Sequence, residues 1–146
     1  MTETLVYDVR RVEGPAEMDA AIELRHEVFC VEQGVPEHEE IDGRDGDGVH
    51  LVAVCDGELL ATCRVLLVGP TAQFSRLAVR SSARRRGIAK ALLEAADVET
   101  RSAGGRRLVL HAQTYARALY DAAGYVPHGR VFIEAGIEHI AMEKRL

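Results

Sequence analysis

The sequence predicts an α/β fold of the mixed α+β kind, with elements in the order β-α-β-β-β-α-β-α-β-β. Three observations predict it. Asp56-Gly57 joins two apolar runs, 50–54 and 58–68, with the strongest short hairpin signal a sequence offers. A helical stripe from residue 84 to about 102 lies between strand-like runs 73–79 and 107–111, a passage that implies a parallel, right-handed crossover. Runs 125–133 and 137–142 meet at Ala135-Gly136 and close as a second hairpin.

Residues 5–12 alternate in character and read as the first strand. Pro15 suits the first turn of a helix, where its missing N–H costs nothing. Met18, Ala21, Ile22, Val28, Phe29 and Val31 continue a broken stripe to Gln33, with a bend or a second short helix near Glu27, before Gly34 and Pro36 end it. The stretch 37–48 is acidic and glycine-rich. Asp42, Asp45 and Asp47 lack the alternate spacing of an EF-hand, and no glutamate stands where a bidentate calcium ligand is needed. A solvated loop is therefore expected, or an acidic rim that attracts a cationic substrate. A two-residue turn at Asp56-Gly57 would set His50 opposite Cys63.

The helix beginning at Arg84 is unusual in its first turn. It carries Arg84, Arg85 and Arg86 and no acid, although the partly positive end of a helix ordinarily attracts Asp or Glu. Gly87 follows, so an anion could come close to free backbone N–H groups. The stretch reads as a phosphate cradle or as a basic surface patch. It is neither a P-loop nor a dinucleotide fingerprint. Gly104-Gly105 stops this helix. Thr114 is placed to cap the next, which bears Ala116, Leu119, Tyr120 and Ala123 on one face before Gly124.

Composition bounds the rest. At 146 residues, 47% hydrophobic and 28% charged, the chain is expected to be one soluble domain spanning 1–146. A net charge of −5 argues against a nucleic-acid binder. No apolar run is long enough to span a membrane, and no leader precedes the first strand. Cys30, Cys55 and Cys63 are odd in number and lack zinc spacing, so they read as small buried hydrophobes in a reducing cytoplasm, with no metal site.

Arg84, Gly87 and Ala89 fill the defining places of the Arg/Gln-x-x-Gly-x-Gly/Ala loop, and the chain resembles the GCN5-related N-acetyltransferases. Further stretches are similar to the ElaA/YjcF-like branch. These are Leu24-Arg25 with Val28-Phe29 and Val31-Glu32-Gln33, then Ile41-Asp42-Gly43, His50, His111-Ala112-Gln113, Ala116, Tyr120 and Gly124-Tyr125. The segment from Glu134 to Ile140, with Met142, completes them. The resemblance implies a splayed mixed sheet of about six or seven strands flanked by helices, with acetyl-CoA as cosubstrate in the gap. It implies transfer of the acetyl group directly to an amine, either a small cationic molecule or a protein amine. No cysteine stands where a covalent intermediate would form. A non-catalytic acetyl-CoA sensor on the same fold is the alternative. Homodimers are common by the same resemblance.

It also implies site residues. Arg84, Arg85, Arg86, Gly87, Ile88, Ala89 and Lys90 would hold the pyrophosphate. Backbone at Leu77, Ala78 and Val79 would polarise the thioester carbonyl. Gln113 and Ala116 would contact the cofactor, and Tyr120 would protonate the leaving thiolate, a role a phenol suits because it stays protonated at neutral pH. Without the resemblance Tyr120 would be a core aromatic. For a general base the candidates, in order, are His50, Glu32 and His139, with His111 and Glu134 also considered; a reaction without a base is open as well.

Overall fold

A computed structural model describes residues 5–146 and shows seven strands in one mixed sheet, ordered β1-β2-β3-β4-β5-β7-β6. The strands are β1 (Asp8–Arg11), β2 (Val49–Cys55), β3 (Glu58–Val68), β4 (Thr71–Val79), β5 (Arg107–Gln113), β6 (Val126–Glu134) and β7 (Ile137–Arg145). The helices are α1 (Gly14–Arg25), α2 (Glu37–Glu40), α3 (Ile88–Ser102) and α4 (Arg117–Ala122). The predicted order is borne out, as is the parallel pairing of β4 with β5; every other neighbouring pair is antiparallel.

The hydrophobic pattern divides the core between the two faces of the sheet. Leu51, Cys63, Val65, Phe74, Leu108, Leu110 and Met142 pack with Ile88, Leu92 and Leu93 of α3 on one face. Val52, Leu59 and Ala78 pack with Ala21 and Leu24 of α1 on the other. β3 lies between both layers, which is why residues 59–66 are buried without the alternation of a half-exposed strand.

Two bulges set what reaches the site. In the β2–β3 hairpin, Ala53 faces Ala61 but Val54 faces Leu59, so one extra residue shifts the register. The expected pairing of His50 with Cys63 is therefore corrected: His50 faces Arg64 and Leu51 faces Cys63. In β4, Ser75 pairs with Arg64 and Ala78 with Thr62, leaving Arg76 and Leu77 opposite Cys63 alone. Arg76 takes φ 58°, a left-handed conformation that a non-glycine residue adopts only when its surroundings hold it there. This extra residue inverts the side-chain alternation. Before it Ala72 and Phe74 face α3; after it Leu77 and Val79 do, and Ala78 turns to α1.

Other expectations are corrected in detail. The bend near Glu27 is a π-helical turn, His26–Glu32, in which the N–H of Gln33 donates to the carbonyl of Val28 five residues back. The acidic stretch contains α2 and a short 3₁₀ turn, Asp45–Asp47. Thr114 caps nothing; its hydroxyl bonds Glu138 at 3.3 Å, and a 3₁₀ turn, Thr114–Ala116, leads into α4. All three cysteines are free, but only Cys63 is fully buried; Cys30 and Cys55 are half-buried.

Candidate active site

β4 and β5 share main-chain pairing only from Thr71 to Gln73, opposite Arg107 to Val109. Beyond that the strands part, and a cleft of about 870 Å³ opens between them. Its walls come from the second half of β4, the loop before α3, the end of β5, α4, the π-helical turn and the β6–β7 hairpin.

At the α3 end, the arginines do not occupy the first turn of the helix, contrary to expectation. Arg84 is extended, Arg85 and Gly87 take φ 63° and 81°, and α3 begins only at Ile88. Left-handed backbone interrupts the helical path, so the three arginines form a loop leading into the helix. Gly87 is its N-cap and supplies no side-chain cap, and the first turn holds no acid, so its N–H groups lack the usual partners. A Cβ on Gly87 would project into open space. Arg85 and Lys90 line the cleft, as do Ile88 and Ala89. Arg84 is braced, its Nε donating to the Val79 carbonyl at 3.0 Å and its Nη2 to Glu32 Oε2 at 2.7 Å. Arg86 is not among the lining residues, and neither is Ala78, whose side chain packs under α1. An uncapped helix start with two cations beside it fits the pyrophosphate of a coenzyme.

Leu77 and Val79 line one side of the gap, Gln113 and Ala116 another. Gln113 is fixed by Gln33, whose carbonyl oxygen accepts from the Gln113 amide at 2.9 Å; Gln33 in turn donates to Tyr115 Oη at 3.1 Å. Tyr120 reaches the cleft from α4, packed edge-on against Tyr125 with ring centroids 6.0 Å apart. Burial, chiefly, pushes its phenol well above the ordinary tyrosine range.

The base candidates divide cleanly. His50 does not line the cleft. It is 6% exposed, with Nε2 2.8 Å from the Asp45 carbonyl, so its position at the head of the candidate bases is corrected to a structural one. Glu32 lines the cleft but is engaged by Arg84. His111, Glu134 and His139 come together at the β6–β7 end, on three adjacent strands. This cluster was hidden in the sequence because the three residues belong to separate strands. Only the β5–β7–β6 register, which aligns Gln113 with His139 and His139 with Phe132, shows that they share a face.

The acidic stretch is also not a free rim. Arg25, 1% exposed, donates to both Glu40 oxygens at 2.6 and 3.0 Å and to Asp45 at 2.8 Å. Arg64, 2% exposed, grips Asp42 with both nitrogens at 2.8 and 2.7 Å and reaches Asp45 at 3.0 Å. Arg76, on its bulge, donates to the carbonyls of Glu39 and Glu40. The Arg64 guanidinium holds the Asp42 carboxyl far below the usual range. The loop is thus pinned beside the cleft, and its sequence spacing could not reveal the arginines that neutralise it.

Residues 15–146 match the family model described as the acetyltransferase (GNAT) domain. The chain belongs to this family. The N-acetyltransferase YjcF of Bacillus subtilis is 34% identical over 126 residues, covering 85% of this chain and 89% of that one. Among solved structures, an acyl-CoA N-acyltransferase from Pseudomonas aeruginosa is 34% identical with a TM-score of 0.82, covering 96% and 99% of the two chains. Escherichia coli ElaA is 25% identical with a TM-score of 0.86, covering 95% and 99%. The resemblance to the ElaA/YjcF-like branch is borne out, and this GNAT protein is an acyltransferase. Among its described residues, no helix is long and apolar enough to cross a membrane.

Proposed function

We propose that this GNAT domain, spanning the whole chain, transfers the acetyl group of acetyl-CoA directly to an amine within a ternary complex, in the cytoplasm. The observation that carries the reading is the gap between β4 and β5, with an uncapped helix start at one side and a buried tyrosine within it. Bound there, the coenzyme supplies an acetyl group activated as a thioester. N–H groups at residues 85–90 bind its pyrophosphate with Arg85 and Lys90, while Arg84 holds the loop in shape through Glu32 and Val79. Beyond Gln73 the edge of β4 facing β5 has no strand partner, so N–H groups near Leu77 remain available where negative charge develops on the acyl oxygen. Tyr120 keeps its proton at neutral pH because burial disfavours the phenolate, and it delivers that proton to the departing sulfur.

The acceptor is an amine that arrives as a cation. Glu39 and Glu134 line the cleft and favour it, whereas the carboxylates of Glu40, Asp42 and Asp45 are matched by arginines and add little.

The test is a thermal-shift titration with acetyl-CoA, CoA and ATP, followed by Tyr120→Phe. Acetyl-CoA and CoA, but not ATP, are expected to raise the melting midpoint. Tyr120→Phe is expected to keep that shift while turnover falls by roughly 10²–10⁴-fold, the range for a general acid. No shift with any coenzyme far above ordinary affinities would sink the reading.

A further inference from the structure

His139 is held in one protonation geometry by its backbone. Its Nδ1 lies 2.7 Å from the carbonyl oxygen of Ile137. A carbonyl can only accept, so Nδ1 carries the hydrogen and the neutral ring keeps its lone pair on Nε2. That nitrogen faces Glu134 Oε2 at 3.8 Å, beyond hydrogen-bond reach. The ring is packed tightly: Phe132 stacks on it at 5.9 Å with planes 23° apart, and its side chain is 9% exposed. Glu134 is also held by His111, whose Nδ1 lies 3.2 Å from Oε2 and 3.3 Å from Oε1. Glu138, next to His139 in the chain, is engaged by the Thr114 hydroxyl. All three members of the cluster line the cleft that also holds Tyr120.

We propose that His139 is the general base of acetyl transfer and that Glu134 draws the acceptor's ammonium to it. The inference rests on the acetyl-transfer reading. A positively charged amine cannot attack, and one that approaches both Nε2 and the Glu134 carboxylate from the cleft meets an acceptor lone pair and a negative charge together. Its proton passes to Nε2, forming an imidazolium whose two N–H groups face the Ile137 carbonyl and Glu134. The freed nitrogen lone pair bonds to the acetyl carbon as the carbon–sulfur bond breaks. Sulfur takes the Tyr120 proton, and the second nitrogen proton restores the phenol. The imidazolium returns its proton to water beside Glu134, whose side chain is 49% exposed. The overall products are the acetamide, the free thiol and one proton.

Two probes separate this role from a structural one. Benzylamine is a cation at neutral pH and needs deprotonation; aniline is already neutral. In His139→Gln, whose amide can still donate to the Ile137 carbonyl, kcat/KM for benzylamine should fall roughly 10²-fold or more, the usual worth of a general base. The value for aniline should change only a few-fold. Equal losses on both amines, with an unchanged melting midpoint, would overturn the proposal. Nitrogen-detected NMR of the coenzyme-free protein gives a second readout that does not depend on either probe. The His139 ring should show the Nδ1–H tautomer when neutral, with the hydrogen directed at the Ile137 carbonyl. An Nε2–H tautomer would overturn the proposal. Absence of any acetyl-CoA shift in the wild-type protein would instead condemn the acetyl-transfer reading.

Discussion

The protein uses arginine in two opposite ways on two sides of one cleft. Arg25 and Arg64 are almost fully buried, and each is matched by carboxylates of a loop far away in sequence. Arg85 lies in the exposed loop before α3, two residues ahead of Gly87, with no acid in the helical turn that follows. The first arrangement spends positive charge on holding the chain together. The second leaves it unspent for a ligand. Burial and pairing, not the density of arginine, distinguish a structural cation from a binding one.

Breaking the buried side should cost most. Arg25→Met strands the buried Glu40, while Asp45 keeps Arg64, and about 3–5 kcal/mol of stability should be lost in urea unfolding, the usual effect of removing one member of a buried pair. Gly87→Ala should cost about 1–2 kcal/mol, because φ 81° is left-handed and the space is open, so strain rather than collision sets the penalty. Its CoA-induced thermal shift should shrink as well.

The open side should behave in reverse. The double change Arg85→Ala with Lys90→Ala should alter unfolding free energy by less than about 0.5 kcal/mol, as expected for surface substitutions. Its affinity for CoA should nevertheless fall clearly, and what remains should depend less on salt. A large loss of stability here would erase the contrast.

A finer comparison follows from pH. Asp42 is held below its ordinary value of 3.8 by Arg64, so its contribution is fully present above that value. It disappears only as pH falls through the lower, folded-state value. The stability gap between wild type and Asp42→Asn should therefore stay flat from neutral pH down to the ordinary aspartate range, then narrow. A gap that closes near neutrality would mean that Asp42 is not the group being titrated.

The sequence made some of this legible and concealed the rest for identifiable reasons. Asp56-Gly57, Ala135-Gly136 and the apolar periods of α3 are local signals, and the elements they predict are present. Arg84, Gly87 and Ala89 mark the loop before α3 because that motif is contiguous. The bulges at Leu60 and Arg76 left no such signature, and each shifts what lies downstream by one residue. His50 was misplaced for that reason. His111, Glu134 and His139 were visible singly, but their meeting depends on a register that no local pattern encodes.

The short joint between β4 and β5 has a consequence for folding cooperativity. The strands from β1 to β4 form one antiparallel block and those from β5 to β7 another, and the strand pairing between them is three aligned residue pairs long. One apolar cluster on α3 spans both blocks, so the main-chain joint at Thr71 to Gln73, rather than the core, is where native-state hydrogen exchange should reveal the earliest openings. A ligand spanning the gap would touch both, and its binding energy would be felt as increased coupling between them.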